Sequence, residues 1–361
     1  MLYYTPGPSA IFYTVEEHLK KAMQQQVPAI SHRGQAFKAI FQETATNLRQ
    51  LLQLPDNYHI VFVASATEIW ERLIQNCVEA HSHHLVNGSF SKRFYEIAGQ
   101  LGHNATKTEV EAGTCVNPQA VEAGNAELIA ITQNETSTGA AQPLADIAAI
   151  RKQYPEALIA VDVVSSIPHI ELDYSLIDSA YFSVQKCFGL PAGLGVWLVN
   201  DRCVQKAEAL LAKGLSIGSY HNLPGLVSKA AAYQTPETPN VLGIYLLGKV
   251  AGDMLNKGLD MIRRETKYKA ALLYGLLERQ PGLSPFVRDK TCRSETVIVG
   301  DVAAGSEPLI NHLKQKSIVI GSGYGPFKHQ HIRVANFPTT SKEQIEMLSD
   351  LIDAYQAASV K

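Results

Sequence analysis

Charge of either sign is scarce in this sequence and nearly cancels: Lys and Arg number 32 and Asp and Glu 34 among 361 residues, a formal net charge of −2. Without a basic field there is nothing to gather phosphate backbones or anionic lipid, so neither nucleic acid nor a membrane is expected as a partner. Long apolar runs are missing too. No stretch reaches the roughly 18 uninterrupted apolar residues of a membrane span, and the opening Met1-Leu2-Tyr3-Tyr4-Thr5-Pro6-Gly7-Pro8 has neither a basic n-region nor a long apolar segment. Cysteine is sparse. Cys77, Cys115, Cys187, Cys203 and Cys292 show no paired spacing, and an odd number in a chain of this length argues against a disulfide framework. A reducing, cytoplasmic setting is expected.

What the chain does have is apolar content, 46% hydrophobic residues, in a length beyond that at which single cores stop growing. Two domains are therefore expected. From 58 to 200, short apolar runs alternate with amphipathic stretches, the pattern of an α/β fold with a mainly parallel sheet covered by helices. The spacing predicts strands over 59–64, 84–87, 106–110, 127–132, 157–162, 179–185 and 194–199. Leu144, Ile147, Ile150 and Tyr154 share one helical face, as do Ile69, Trp70, Leu73, Ile74, Cys77 and Val78. After 200, helices dominate, over 201–213, 241–255 and 259–280, with a bend at Gly258. Short strands follow over 296–299 and 317–320. A last helix starts at Ser341, where Thr340-Ser341-Lys342-Glu343 fits a capping box, and buries Ile345, Leu348, Ile352 and Tyr355. The expected division is a large domain over 15–257 and a smaller α/β domain over 258–361, with 1–14 packing near the site or the small domain.

Chemistry concentrates around Lys186, in the run Ser183-Val184-Gln185-Lys186-Cys187-Phe188-Gly189-Leu190-Pro191-Ala192-Gly193, where a lysine follows an apolar strand and precedes a glycine-rich turn. Asp162 closes another apolar strand 24 positions earlier. A lysine whose pKa is lowered by burial or nearby cations condenses with an aldehyde near neutral pH. A buried carboxylate keeps the ring nitrogen of pyridoxal phosphate protonated through a charge-assisted hydrogen bond. Taken singly, a lysine is ordinarily a solvated surface charge and an aspartate at a strand end a turn or cap residue. Their order, separation and flanks together point to pyridoxal phosphate.

A cofactor phosphate needs backbone N–H donors, best supplied at a helix N-terminus. Ser65-Ala66-Thr67-Glu68, between a predicted strand and a predicted helix, offers them with two hydroxyls, and reads equally as an ordinary S-x-x-E capping box. Phe90, after the strand that ends in Gly88, is either a ring to stack on the pyridine or a core aromatic. Thr136, in the polar cluster Thr132-Gln133-Asn134-Glu135-Thr136-Ser137-Thr138-Gly139, is a candidate for the cofactor's phenolic oxygen or phosphate, or belongs to a polar turn. Ligands of open α/β sheets lie beyond the carboxyl ends of the strands, where Ala64, Gly88, Asn134, Asp162 and Lys186 converge.

Two stretches resemble the class V, fold type I aminotransferases, nearest their phosphoserine branch. Ile30-Ser31-His32-Arg33-Gly34-Gln35-Ala36-Phe37 is similar to S-H-R-G-x-x-F, and Gln185-Lys186 with 189–193 is similar to Q-K-x-x-G-P-A-G. Weaker agreement runs through 51–62, Asn134-Glu135-Thr136, Asp162, Gln234-Thr235-Pro236, Arg293-Ser294 and Arg333. The resemblance implies transamination of phosphoserine with 2-oxoglutarate in serine biosynthesis, small amino and keto acids as partners, pyridoxal 5'-phosphate as cofactor, and a homodimer with a shared active site. By position it makes Lys186 the covalent anchor and general acid/base, Asp162 the pyridinium partner and Phe90 the stacking residue. Gln185 joins the phosphate site, with Gln234 and Thr235 reaching in from the neighbouring subunit. Arg333 clamps the substrate α-carboxylate, for which a guanidinium fork is suited, and His32 and Arg33 meet the distal phosphate.

Two departures bear on the substrate. Ser65-Ala66-Thr67-Glu68 stands where the phosphoserine branch has a glycine-rich segment with an arginine, and is closer to the alanine-glyoxylate and serine-pyruvate type. In Gly325-Pro326-Phe327-Lys328-His329-Gln330-His331 the branch's second phosphate-binding arginine falls on Phe327, leaving Lys328 as a point charge without the fork. A serine-pyruvate or alanine-glyoxylate type enzyme is thus the alternative. Cysteine desulfurases place a histidine where Gln185 stands. A cofactor-free binding protein would have no use for a buried charged pair. His81-Ser82-His83-His84 lacks tetrahedral ligand geometry, so no metal is expected. Gly321-Ser322-Gly323-Tyr324-Gly325 lacks the lysine and helix of a P-loop and reads as a flexible turn near the substrate, and Cys187 as a packing residue.

Overall fold

In the computed structural model, which describes residues 1–359, the chain opens with a short strand, β1 (Leu2–Tyr4), and two helices, α1 (Val15–Gln24) and α2 (Gln35–Leu52). The alternating region follows as β2 (Tyr58–Val63), α3 (Ala66–Cys77), β3 (His81–Val86), α4 (Ser89–Gln100), β4 (Asn104–Glu109), β5 (Leu128–Thr132), a two-residue ladder of β6 (Asn134–Glu135) with β7 (Ala140–Ala141), α5 (Leu144–Gln153), β8 (Leu158–Asp162), β9 (Ser179–Ser183) and β10 (Gly195–Asn200). Helices α6 (Asp201–Ala212), α7 (Leu223–Ala231), α8 (Val241–Lys257) and α9 (Leu259–Arg279) lead to β11 (Leu283–Pro285), β12 (Val297–Val302), α10 (Glu307–Gln315), β13 (Ile318–Ser322), β14 (His331–Ala335) and α11 (Lys342–Ser359). No helix among the described residues is long and apolar enough to cross a membrane.

Seven strands form the large sheet in the order β2-β10-β9-β8-β5-β3-β4. Only β10 runs against its neighbours; β8–β9, β5–β8, β3–β5 and β3–β4 pair in parallel. Strands β5, β8, β9 and β10 are buried at every position, because helices cover both faces of a parallel sheet and leave no side for polar residues. The carboxyl ends of β5, β8 and β9 therefore meet along one edge, at Thr132, Asp162 and Ser183. The second sheet has the order β1-β13-β14-β12-β11 and its own apolar cluster with Leu273, Leu276 and Leu277 of α9, Leu309 and Leu313 of α10, and Ile345, Leu348 and Ile352 of α11. Gly258, at φ 84, turns the chain from α8 into α9.

Several local expectations are corrected. The strand predicted over 84–87 begins at His81, since threonine hydroxyls of β4 pair the histidines: His83 Nδ1 lies 2.8 Å from Thr106 Oγ1 and Nε2 2.9 Å from Thr108 Oγ1. Burial pushes the pKa of His83 down to about 4 and of His84 to about 3, so both are neutral strand residues. The box opening α11 forms one residue later than the sequence suggests. Ser341 Oγ accepts from the N–H of Gln344 (3.2 Å) while the N–H of Ser341 donates to Gln344 Oε1 (2.9 Å). Cys115 and Cys292, taken from spacing as unpaired, are joined in a disulfide with Cα atoms 5.9 Å apart across 177 positions of sequence; spacing cannot register a pair that only folding assembles. Cys77, Cys187 and Cys203 are free and buried.

At the end of the sheet away from the converging strand tips, Asp178 is buried and accepts from the N–H of Ile159 (2.8 Å), Asn200 Nδ2 (3.0 Å), Arg202 (3.0 Å) and Arg151. Removing one partner of such a set strands the other charges away from water. Asp178→Ala is expected to lower unfolding free energy by about 3–5 kcal/mol in urea denaturation, and a loss below about 1 kcal/mol would show that solvent already screens these guanidinium groups.

Candidate active site

Lys186 lies in the turn after β9 and keeps 8% of its surface. Its Nζ donates to Thr136 Oγ1 at 2.8 Å and sits 5.0 Å from the centre of the Phe90 ring. Thr136 Oγ1 donates onward to Ser165 Oγ (2.9 Å), which donates to the carbonyl of Asn134 (3.0 Å). The N-terminal arm closes the other side. Ser9 bonds the carbonyls of Gln185 and Lys186, the N–H of Phe12 donates to the carbonyl of Gly189, and a Cβ on Gly7 would come 3.1 Å from Lys186 Cε. Gly189 has φ 58, and a Cβ there would meet Thr339 Cγ2 at 2.3 Å and Phe12 N at 2.7 Å, so the turn carrying Lys186 is held where only glycine fits.

Asp162, the last residue of β8, is buried. Its Oδ1 accepts from the N–H of Val164 (3.0 Å) and its Oδ2 from Trp70 Nε1 (3.3 Å), whose indole stacks on Phe94. Burial raises the Asp162 pKa to about 6, against the opposing pull of the Val164 N–H and the Lys186 charge. Burial likewise lowers the pKa of Lys186, with Asp162 working the other way. Each group is thus pushed toward its neutral form by desolvation and only partly compensated by the other. A carboxylate in that condition is suited to a cationic nitrogen.

Two helix N-termini face the site and are used differently. At α4 the buried Glu135 accepts from the N–H of Ser91 (2.9 Å), Ser91 Oγ (3.0 Å), the N–H of Phe90 (3.4 Å) and Ser137, so a protein carboxylate occupies that helix end and fixes Phe90. A Cβ on Gly88 would lie 2.3 Å from Glu135 Cγ, so the close approach needs glycine. Glu135 escaped the sequence reading; the only available signal was the glycine opposite it. At α3, Ser65 Oγ accepts from the N–H of Glu68 (3.1 Å), the N–H of Ala66 donates to Ser183 Oγ (2.7 Å), and Glu68 reaches back to the N–H of Ala64 (2.9 Å). Only the serine half of the capping box forms, because Glu68 reaches Ala64 and not Ser65, and the N–H groups of Ser65 and Thr67 keep no partner among the described residues.

Arg333, on β14, donates from Nε to the carbonyl of Ser322 (2.7 Å) and from one terminal nitrogen to the carbonyl of Thr136 (3.2 Å). It reaches the site from the second sheet and shares Thr136 with Lys186. Tyr324, singled out only as part of a glycine-rich turn, lies against the Arg333 guanidinium (5.3 Å) and, tilted by 39°, against the Phe90 ring (5.2 Å) while staying exposed. Other candidates gather elsewhere in this chain. The two ends of the Arg33 fork donate to the carbonyls of Thr235 and Pro236, each at 2.9 Å, and Thr235 Oγ1 donates to the carbonyl of Glu237 (2.8 Å). His32 is half-buried beside Arg33, and Gln234 is half-buried as well. Lys328 is exposed, and Phe327 stacks on His331 at 4.5 Å.

Lys186, Asp162, Phe90 and Thr136 thus bring together a buried amine, an acid short of a cation and an aromatic face. Gln185 adds a buried Oε1 with no hydrogen-bond partner, and α3 adds two open N–H groups. These features fit a flat cationic heterocycle carrying an aldehyde and an anionic arm.

A model of the aminotransferase class-V family matches residues 4–342. The phosphoserine aminotransferase of Corynebacterium glutamicum (strain R) is 30% identical over 333 residues, which cover 90% of this chain and 86% of that protein. That of Rhodococcus opacus (strain B4) is 28% identical over 328 residues, with 90% and 87% covered. A solved phosphoserine aminotransferase from Cytophaga hutchinsonii is 48% identical and superposes with a TM-score of 0.96 over 98% of both chains. An aspartate aminotransferase from Thermus thermophilus, at 23% identity and a TM-score of 0.86, shares the fold. The architecture is that of the fold type I aminotransferases.

In protein dialysed free of small molecules, Asp162 raised from 3.8 to about 6 means that stability is fullest below pH 4 and falls as pH rises through about 6. Asp162→Asn is expected to remove that fall and to be more stable at pH 7 by roughly 3 kcal/mol. Urea midpoints for both proteins from pH 4 to 8 check this, and parallel curves would contradict it.

Proposed function

Because the chain belongs to the class-V aminotransferases, we propose that it holds pyridoxal 5'-phosphate and transfers the amino group between phosphoserine and 2-oxoglutarate, as a step of serine biosynthesis in the cytoplasm. The observation that carries the cofactor reading is Lys186 Nζ, buried, hydrogen-bonded to Thr136 and facing the Phe90 ring within the field of buried Asp162. The 48% identity to a phosphoserine aminotransferase supports the substrate.

The bound cofactor supplies an electron sink beside the substrate α-carbon. Lys186 anchors the aldehyde and, once released, carries the proton to and from the α-carbon, a role helped by the burial that lowers its pKa. Asp162 keeps the ring nitrogen protonated, and the indole of Trp70 holds the carboxylate that does so. Phe90 supports the ring face. Ser65, Ala66 and Thr67 at α3, with Gln185, receive the phosphate, joined by Gln234 and Thr235 from a second copy of the chain. Arg333 has one terminal nitrogen with no partner among the described residues and offers it to the substrate α-carboxylate, with the guanidinium plane set by Tyr324. His32, Arg33 and Lys328 are assigned to the substrate phosphate. A homodimer is supported by exposed Tyr13, Tyr220 and Tyr233, large apolar rings on the surface of one chain. The working units are 15–257 and 258–361, with 1–14 covering Lys186.

A second reading, a serine-pyruvate or alanine-glyoxylate type reaction, is favoured by one observation: Phe327 is stacked on His331 and Lys328 is exposed, so neither position supplies a fork for a phosphate.

Visible spectra of the holoenzyme mixed separately with phosphoserine, serine, alanine and glutamate distinguish the two. Conversion by phosphoserine and glutamate is expected; conversion by serine or alanine with no response to phosphoserine establishes the second reading. Arg33→Ala is expected to weaken phosphoserine far more than glutamate, and equal losses would remove His32 and Arg33 from the phosphate. Lys186→Ala is expected to cut transamination by about 10³-fold or more; turnover near that of the unaltered enzyme would end the proposed mechanism.

A further inference from the structure

Behind the N-terminus of α3 lies a charged cluster that none of these roles uses. His221, 5% exposed, bonds Glu68 Oε1 through Nδ1, and its Nε2 lies 3.2 Å from Glu237 Oε2, an ion-pair contact off the line of a hydrogen bond. Arg72 approaches Glu68 at 3.5 Å and Glu71 at 3.9 Å. The Tyr220 ring covers the imidazole at 4.1 Å. The other oxygen of Glu68 accepts from the N–H of Ala64. A carboxylate therefore sits one residue beyond Ser65-Ala66-Thr67, within about one helical turn (~5.4 Å) of where a phosphate would rest.

Arg72, shared with Glu71 and making no hydrogen bond to Glu68 through Nε, answers that carboxylate only in part, and the charge left over would repel a dianion and weaken the favourable potential of the helix end. We propose that His221 is a positioning residue for the cofactor phosphate: its imidazolium neutralises Glu68, so that the carboxylate caps the N–H of Ala64 without repelling the anion at Ser65 and Thr67. The same ring reaches Glu237, which follows the 234–235 segment assigned to the neighbouring subunit's phosphate site. One cation thus steadies a chain's own cradle and the loop it lends. Burial alone would lower the His221 pKa, but Glu237 and Glu68 outweigh it and raise it to about 9. With that value the imidazolium is nearly complete at pH 7.5 and is lost as pH rises through about 9.

The inference rests on the cofactor reading above, and its test separates the two. Release of pyridoxal 5'-phosphate from the full-length holoenzyme is followed by visible absorbance during dialysis between pH 7 and 10. At pH 7.5, His221→Gln is expected to lose cofactor about tenfold faster than the unaltered protein, and Glu68→Gln in the same chain to restore retention to within about twofold. Release from the unaltered protein is expected to accelerate as pH rises through about 9, a step absent from His221→Gln and moved to lower pH in Glu237→Gln. Equal retention by His221→Gln, or no rescue by the second substitution, overturns the proposal. Should His221→Gln fail to fold, Glu237→Gln decides: an unmoved pH step overturns the proposal and a downward shift supports it. An unaltered protein that takes up no cofactor defeats the cofactor reading instead.

Discussion

The removal of one amine and one carboxylate from water governs this molecule. Lys186 and Asp162 sit at the carboxyl edge of a sheet covered on both faces, where neither ion can be hydrated and each only partly answers the other. That desolvation brings the lysine toward its nucleophilic, neutral form and leaves the acid short of a cation. Much of the surrounding structure serves to keep the pair in that state. The N-terminal arm lies over the lysine turn, Gly189 lets the loop ending in Thr339 pack against it, and Trp70 and Val164 fix the carboxylate.

The chain's own carboxylates define which helix ends remain open to an anion. Glu135 takes the N–H groups of Phe90 and Ser91 while Ser137 takes that of Ser89, so the N-terminus of α4 is filled and holds Phe90 in place. Glu68 reaches past the first turn of α3 to Ala64 and leaves two donors in that turn free. The same residue type at two helix starts gives a closed end in one case and an open one in the other, because geometry decides how many N–H groups each carboxylate consumes.

The two sheets meet through the site. Arg333 extends from β14 to the carbonyl of Thr136, whose hydroxyl receives Lys186, and Asn134 donates both to Ser165 Oγ (2.8 Å) and to Thr296 Oγ1 (3.1 Å). Arg333 and Lys186 are therefore linked through one residue, Thr136. Tyr324 lies against Arg333 and Phe90 from a turn rich in glycine.

Local pattern was enough for the alternating strands and helices, the lysine before a glycine-rich turn, the aspartate ending β8 and the serine cap of α3, because each depends on period, turn chemistry or a neighbour a few residues away. It was not enough for β1, which is three residues long and pairs with β13 at the far end of the chain, for β11 or β14, nor for the Cys115–Cys292 bond or the box that opens α11. Glu135, Tyr324 and His221 were also out of reach. Their meaning lies in a helix end 44 positions from Glu135, the Phe90 ring of α4 that faces Tyr324, and a carboxylate 153 positions from His221. The sequence by itself thus determined the fold class and the residues able to do chemistry, as both are written in periodicity and residue type. Tertiary structure decided which charges lose their water, which are neutralised and which helix end stays open, because those depend on what packs against a group and not on what precedes it.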